Sequence, residues 1–221
     1  MNADEIKTGM GNVNWYHTID LGHGLVTPGV DDTPARTAQL EIPADLTGKS
    51  VLDIGAWDGA LSFEAERRGA TRVLATDSFC WGGEGWGTKD GFDFAHAALD
   101  SKVESLEIDP MDLSPERVGT FDVVLFVGVL YHMRHPLLAL ERVASVTREL
   151  AIVDTHVGMV DFEKPAMIFY PNNELNDDWT NWWGPNPAAV EAMLGTVGFS
   201  RFERKHPETI VDGRFTVHAW R

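Results

Sequence analysis

A chain of 221 residues, 43% of them hydrophobic and 24% charged, is long and apolar enough for one α/β domain, which excludes a disordered protein. A net charge of −16 argues against a nucleic-acid partner, because such interfaces neutralise phosphates with Lys and Arg. Cys80 is the single cysteine, which excludes an internal disulfide, and no apolar run could span a bilayer. With an N-terminus that lacks an apolar signal stretch, these features predict a cytoplasmic protein with a small-molecule partner and no membrane.

Residues 1–48 show weak periodicity and are predicted to form an N-terminal extension. Within it, the stretch NWYHTIDLGHGLVTPG combines aromatic residues, two histidines and several glycines. That composition is typical of a loop that packs over a site, so we predict a substrate lid. A surface strap, in which Trp15 and Tyr16 fill gaps in the core, is the alternative.

From residue 49 onward, short apolar segments alternate with amphipathic ones. The predicted strands are residues 50–55, 71–77, 103–109, 121–130, 149–156, 199–205 and 213–221. The predicted helices are residues 58–69, 90–102, 135–148 and 186–199. The fourth strand is almost wholly apolar, as in a parallel strand that is buried on both faces. The pattern predicts an α/β fold with a doubly wound, mostly parallel seven-stranded sheet and an antiparallel last strand.

An insertion from residue 158 to residue 184 interrupts this alternation. It contains FYPNNELNDDWTNWWG, which is rich in aromatic residues, Asn and Asp. Long insertions in compact domains are usually functional, so we predict that this one contributes to a site. Residues 49–221 are predicted to form one domain that carries this insertion and binds a cofactor through the motifs that follow.

The segment VLDIGAWDG is typical of a nucleotide site, because a buried strand ends at a glycine turn that enters a helix. A dinucleotide fingerprint would need a glycine where Trp57 stands, and Asp58 would repel a pyrophosphate. Asp53 could instead hold an ammonium group, directly or through water. A nucleotide-binding oxidoreductase remains an alternative, but a cofactor with an amino acid and a sulfonium fits better.

VLDIGAWDG, followed by LATD and FDVV, resembles the class I S-adenosylmethionine-dependent methyltransferases, whose first motif has the form (V/L)LD(I/V)GxxxG. The resemblance spans residues 50–155 and implies a Rossmann-like fold with S-adenosylmethionine as the cofactor. It implies that glycines line the methionine moiety, that an Asp holds the ribose and that the segment before FDVV flanks the adenine. The implied cofactor-binding residues are Asp53, Gly55, Trp57, Gly59, Asp77, Ser78, Asp109, Met111, Val127 and Gly128.

GVLYHMRHPLLAL is similar to a segment of the tRNA wobble-uridine carboxymethyltransferases, which use carboxy-S-adenosylmethionine, and of smaller related methyltransferases. In those tRNA enzymes a tyrosine that matches Tyr131 helps to hold the extra carboxylate. This chain is short and acidic, and it has IGAWDG where they have a VGCG-type motif. We therefore predict ordinary methyl transfer to a small molecule, with tRNA (carboxy)methyl transfer as the alternative.

Transfer to an oxygen acceptor needs a base, and histidine is the usual choice near neutral pH. The first candidate is His132, after the fourth strand, and the second is His156, after the fifth strand, with Tyr131 beside them in the predicted catalytic set. His17 and His23 in the predicted lid rank third, and a purely structural role remains open for each histidine. We predict no metal, although Asp154 with the two strand-end histidines could bind one. The final strand pair could form the edge of a homodimer.

Overall fold

The computed structural model describes residues 1–82, 85–206 and 213–221, and the chain forms two compact units, residues 1–109 and residues 110–221. Gly83 and Glu84, in the Gly- and Trp-rich stretch after the second predicted strand, lie outside the described residues. Within the described part of the chain, no helix combines the length and the apolar composition that a membrane span requires.

Three strands form the sheet portion of the first unit: β1 (Ser50–Ile54), β2 (Arg72–Asp77) and β3 (Glu104–Glu107). Strand β2 pairs in parallel with both of the others. Residues 51–54 of β1 and 73–77 of β2 are buried, as expected for strands covered on both faces. Strand β3 is exposed along its length and ends at Glu107, which lies opposite Asp77 in the register.

The helices of the first unit are α1 (Ala3–Met10), α2 (Thr33–Leu40), α3 (Ala60–Arg67) and α4 (Asp90–Leu99). Helices α1 and α2 lie in the segment that the sequence showed as weakly periodic. Helix α1 buries Ile6 alone and α2 buries Thr33 and Leu40, so neither presents enough apolar positions to give a helical period. A capping box between Asn2 and Glu5 stabilises the start of α1.

The strands of the second unit are β4 (Phe121–Val127), β5 (Thr147–His156), β6 (Met167–Phe169), β7 (Trp183–Pro185), β8 (Arg201–Lys205) and β9 (Arg214–Trp220). Its helices are α5 (Pro115–Val118), α6 (Pro136–Val146) and α7 (Pro187–Thr196), with 3₁₀ turns at Pro110–Asp112 and Leu130–His132. Strand β5 pairs in parallel with β4 and in antiparallel with β9.

The seven-stranded sheet has the order β3-β2-β1-β4-β5-β9-β8. The last strand in the chain, β9, runs antiparallel to both of its neighbours. The predicted α/β fold with a mostly parallel seven-stranded sheet and an antiparallel last strand is therefore confirmed.

The fourth strand and the insertion also differ from the sequence prediction. The fourth strand ends at Val127 and not at residue 130, because Gly128 turns the backbone with a φ of 75° and a 3₁₀ turn follows. The insertion contains β6 and β7, which pair in antiparallel as a separate two-stranded sheet. Strands of three residues are too short to show an alternating pattern, which is why the sequence did not indicate them.

Asn186 pins the insertion to the start of helix α7. Its side chain is fully buried, and its Oδ1 accepts hydrogen bonds from the backbone N–H groups of Ala189 (2.8 Å) and Ala166 (3.1 Å). Its Nδ2 donates to the carbonyl oxygens of Phe162 (2.6 Å) and Lys164 (2.8 Å). One side chain thus caps the helix and satisfies three backbone groups of the insertion.

We expect Asn186→Ala to lower the free energy of unfolding by about 3 kcal/mol, because it removes a helix cap and leaves buried backbone groups unpaired. Denaturant unfolding followed by circular dichroism measures the loss. The matched control is Asn172→Ala, since Asn172 is exposed and bonds to Glu174, and its effect should stay below about 0.5 kcal/mol. Equal effects of the two substitutions would contradict the role of Asn186.

Candidate active site

The turn between β1 and α3 has a backbone that few residues other than glycine adopt. Gly55 and Gly59 have φ angles of 80° and 86°. The backbone N–H groups of Gly55 and Ala56 both donate to the carbonyl oxygen of Thr76, at 2.8 and 3.0 Å. A Cβ at Gly59 would lie 2.6 Å from the ring of Phe92. Sterics and conformation therefore require glycine here, and the turn is bonded to the end of β2.

Trp57, in the middle of this turn, also has a left-handed backbone, with a φ of 46°. Its N–H donates to Asp77 Oδ2 at 3.0 Å, and its carbonyl oxygen accepts from Trp81 Nε1 at 2.7 Å. Its ring stacks on Tyr16, with centroids 4.1 Å apart and planes 4° apart, and on Trp86 at 5.6 Å. These contacts offset the strain of a left-handed non-glycine residue.

Asp77 ends β2 and is buried, with 5% of its surface exposed. Its Oδ1 accepts from the N–H of Cys80 at 3.0 Å, while its Oδ2 accepts from Trp57. Burial raises the pKa of Asp77, and hydrogen bonds from the backbone N–H groups of Cys80, Trp57, Ser78 and Phe79 oppose that shift. The next residue, Ser78, accepts from Gly82 N at 2.7 Å through its carbonyl oxygen.

Asp53 lies inside β1 and is 2% exposed. Its Oδ2 accepts from the hydroxyl of Ser62 at 2.6 Å. Burial raises the pKa of Asp53 to about 6, the Ser62 bond lowers it, and the charge of Asp77 raises it further. The surroundings of Asp53 therefore favour its neutral form over the charged carboxylate.

Asp58 attaches the N-terminal segment to the turn. Its Oδ2 accepts from the backbone N–H groups of Tyr16 and His17, at 2.8 and 2.9 Å. Burial raises the pKa of Asp58 to about 6, and it lowers the pKa of His17 to about 4. His23 is exposed with a φ of 55°. Of the two histidines in the predicted lid, His17 is thus the one held at the turn.

In the second unit, Val127 and Gly128 stand at the end of β4, where Gly128 N donates to the carbonyl oxygen of Asp154 at 2.9 Å. A Cβ at Gly128 would lie 3.6 Å from Arg214 Nη2. Met111 lies half-buried in the 3₁₀ turn 110–112. Asp109, an exposed residue, is the last of the first unit.

The three residues of the predicted catalytic set lie together. The ring of Tyr131 is 4.1 Å from the ring of His132 and 6.2 Å from that of His156, measured between centroids. His156 Nε2 lies 3.2 Å from the hydroxyl of Tyr170, which the sequence did not single out. Burial lowers the pKa of His132 to about 4, and burial followed by the charge of Arg214 lowers the pKa of His156. Both rings are therefore neutral near pH 7, as a proton acceptor must be.

Arg214 is a second residue of this cluster that the sequence did not indicate. Its Nη2 pairs with Asp154 Oδ1, and its Nη1 donates to the hydroxyl of Tyr131 at 3.1 Å. Burial alone would lower the pKa of Arg214, but its interactions with Asp154 and Tyr131 together outweigh burial and raise the pKa. Thr216 donates to the other oxygen of Asp154 at 2.7 Å. The carboxylate that sequence reasoning considered for a metal is thus bonded to protein groups through both oxygens.

Replacing Asp53 with Asn should raise the free energy of unfolding at pH 7 by about 3 kcal/mol, because a carboxyl with a pKa of about 6 is a buried charge there. Because the pKa of Asp53 is higher in the folded state than in the unfolded chain, the folded state binds this proton more tightly. The resulting stabilisation is complete below the ordinary Asp pKa of about 4 and is lost as the pH rises through 6. The gain should therefore shrink towards zero when denaturant unfolding is repeated at pH 4.

The exposed Asp93, paired with Lys89, provides the control. Asp93→Asn should change the free energy of unfolding by less than about 0.5 kcal/mol. A loss of stability in Asp53→Asn at pH 7 would show that the fold needs this charge.

Comparisons with known proteins identify the family to which this chain belongs. A family model described as a methyltransferase domain matches residues 30–199. The tRNA U34 carboxymethyltransferase of Pseudomonas paraeruginosa is 31% identical over 160 residues, which cover 71% of this chain and 46% of that protein. The ubiquinone biosynthesis O-methyltransferase of Neisseria meningitidis serogroup C is 30% identical over 138 residues, covering 60% and 50%. The chain spans about half the length of these curated relatives.

Solved structures agree on the fold. The N-terminal domain of EvdMO1, crystallised in the presence of SAH and D-fucose, has a TM-score of 0.73 at 21% identity and covers 100% of this chain and 97% of that one. An S-adenosylmethionine-dependent methyltransferase from Mesorhizobium loti has a TM-score of 0.60 at 16% identity, covering 85% and 96%. The family model matches more than half of this chain, and the sheet is the predicted mostly parallel seven-stranded sheet with an antiparallel last strand. The chain belongs to the methyltransferase domain family, within the class I S-adenosylmethionine-dependent methyltransferases.

Proposed function

We propose that this chain transfers a methyl group from S-adenosylmethionine to an oxygen of a small-molecule acceptor. The observation that carries the proposal is the buried carboxylate of Asp77, held by the N–H groups of Trp57 and Cys80 at the end of β2. Two fixed acceptor oxygens at this point suit the two hydroxyls of a ribose.

The charge of the first unit's site supports a cofactor that carries an ammonium and a sulfonium. The acids Asp53, Asp58 and Asp77 are all buried there, and burial raises the pKa of each. Such a site disfavours a pyrophosphate and favours a cation. We assign the ribose to Asp77 and the ammonium to Asp53. Gly55 and Gly59 would line the methionine moiety, as the family motif implies.

The N-terminal segment 1–48 is proposed to act as a lid on this turn. Two backbone hydrogen bonds attach Tyr16 and His17 to Asp58, and the Tyr16 ring covers one face of Trp57. The bonds are local to the first unit and tie the segment to the residues that we assign to the cofactor.

In the second unit, His132 is proposed to accept the proton of the acceptor hydroxyl. Bound S-adenosylmethionine supplies a methyl group on a good leaving group, so the protein has to orient the acceptor and remove one proton. His132 is neutral near pH 7 and lies in the turn that follows β4. The ring of Tyr131 lies between those of His132 and His156 in this chain of contacts, and Tyr131 and His156 are proposed to contact the acceptor.

Relatives favour oxygen as the acceptor atom. The Neisseria protein is named as an O-methyltransferase, and the EvdMO1 domain was crystallised with D-fucose, a sugar whose nucleophilic groups are hydroxyls. The net charge of −16 favours a small molecule over tRNA as the substrate.

Carboxymethyl transfer is the second candidate, because Arg214 donates a hydrogen bond to the hydroxyl of Tyr131. A guanidinium and a phenol side by side suit a ligand carboxylate. Tyr131 also matches the tyrosine that helps to hold the extra carboxylate in the tRNA enzymes. Against this candidate, the charge of Arg214 is already paired with Asp154.

Asp77→Asn should weaken the binding of S-adenosylhomocysteine by tenfold to a hundredfold, because it removes hydrogen bonds between the ligand and a charged group. Isothermal titration measures the change, and NAD should not bind to the unsubstituted protein. The control is Glu107→Gln, which changes an exposed carboxylate opposite Asp77 on β3 and should leave the affinity within twofold. Tighter binding of NAD than of S-adenosylhomocysteine would refute the proposed cofactor.

Titration with S-adenosylmethionine and with carboxy-S-adenosylmethionine separates the two candidates. We expect the former to bind more tightly, with a ratio that Tyr131→Phe changes by less than twofold, because the paired Arg214 offers little charge to a second carboxylate. Tyr170→Phe removes a neighbouring phenol hydroxyl and is the control. Tighter binding of the carboxylated form, lost in Tyr131→Phe but not in the control, would establish the second candidate.

A further inference from the structure

The insertion contacts His132 through Thr180. Nδ1 of His132 lies 3.1 Å from the carbonyl oxygen of Thr180 and 3.0 Å from its hydroxyl oxygen. Thr180 is buried, with 7% of its surface exposed. The same ring nitrogen therefore faces two oxygens of one residue that lies 48 positions away in the chain.

Hydrogen-bond chemistry decides which nitrogen of His132 carries the proton. A carbonyl oxygen can only accept, so Nδ1 must donate to it. The Thr180 hydroxyl donates to Asp178 Oδ1 at 2.7 Å, so towards His132 it can only accept as well. Both contacts require a hydrogen on Nδ1. In the neutral ring, the lone pair that can take a proton is then on Nε2.

Thr180 is itself fixed by its neighbours in the insertion. Its N–H donates to Asp178 Oδ1 at 2.8 Å, and Asp178 N donates to the carbonyl oxygen of Leu175 at 3.2 Å. Asn181, which is 2% exposed, donates from Nδ2 to that same Leu175 carbonyl at 2.8 Å. Trp182 N donates to the carbonyl oxygen of Tyr131 at 2.9 Å. The turn 175–182 is thus braced internally and bonded to the turn that carries His132.

We propose that Thr180, supported by Asp178, is a positioning residue that holds His132 in its Nδ1–H tautomer and makes Nε2 the proton-accepting nitrogen. The catalytic consequence rests on the role proposed above for His132, whereas the tautomer does not. As the acceptor oxygen bonds to the methyl carbon, the carbon–sulfur bond breaks with its electron pair left on sulfur. The acceptor proton passes to Nε2 and is later released to water.

Asp178 gives this arrangement a second effect. When Nε2 takes up a proton the ring becomes positive, and the carboxylate of Asp178, one hydroxyl away through Thr180, attracts that charge. The negative charge of Asp178 raises the pKa of His132, although burial dominates and lowers it. Thr180 and Asp178 therefore orient the ring and stabilise its protonated form.

Nitrogen-15 NMR of the labelled protein near pH 7, without cofactor or acceptor, tests the proposal. The His132 signals, assigned by their loss in His132→Asn, should show a protonated Nδ1 and an unprotonated Nε2. In Thr180→Val, which keeps the carbonyl but loses the hydroxyl, the two nitrogen signals should move towards each other as the second tautomer becomes populated. Thr180→Ser should restore the original spectrum.

Thr196→Val is the matched control, because the Thr196 hydroxyl bonds to Ala192 within its own helix, and it should leave the His132 signals unchanged. An Nε2–H tautomer in the unsubstituted protein would overturn the proposal, and this measurement needs no variant to fold. A Thr180→Val spectrum identical to the original would overturn the role of the hydroxyl. Because no methyl transfer is measured, these outcomes are independent of the Asp77 titration that tests the cofactor.

Discussion

The arrangement of the first unit depends on the backbone hydrogen bonds that the carboxylate of Asp77 accepts. One joins it to Trp57 in the β1–α3 turn, and others join it to Ser78, Phe79 and Cys80 in the segment after β2. From the same turn, Asp58 holds Tyr16 and His17. The end of one strand thus fixes the turn, and the turn fixes the N-terminal segment.

In the second unit, the ion pair of the buried Asp154 with the half-buried Arg214 has the corresponding role. Removing Arg214 would leave the buried carboxylate of Asp154 without its countercharge, which costs several kcal/mol. The pair also joins two strands, because Asp154 lies on β5 and Arg214 begins β9. Through its second bond, Arg214 reaches the hydroxyl of Tyr131. The residues around His132 are therefore placed by the packing of β5 against β9, and not by the β4 turn alone.

The sequence predicted what depends on periodicity and on local motifs, which includes the mostly parallel seven-stranded sheet, the antiparallel last strand and the glycine turn. It did not reveal Arg214, whose place follows from pairing: β9 runs antiparallel to β5, so its first residue lies opposite His156, the last residue of β5. The antiparallel last strand was predicted, and its register would have located Arg214. Thr180 gave no such signal, because hydrogen bonds between an irregular insertion and a 3₁₀ turn follow no period. Helices α1 and α2 were missed because they bury only one and two residues respectively, too few to show a helical period.

The hydrogen bonds also distinguish the two candidate bases. His156 Nε2 faces the hydroxyl of Tyr170, which can donate or accept, so this contact permits either tautomer of His156. A Cβ at Gly213 would lie 3.1 Å from His156 Nδ1, so backbone crowds that side of the ring. His132 instead faces a carbonyl oxygen and a hydroxyl whose proton is committed to Asp178. Only one of its tautomers satisfies both, and a base with one defined proton-accepting atom needs no reorganisation before it acts. This difference favours His132 over His156 as the proton acceptor and gives the insertion a direct part in the chemistry that we propose.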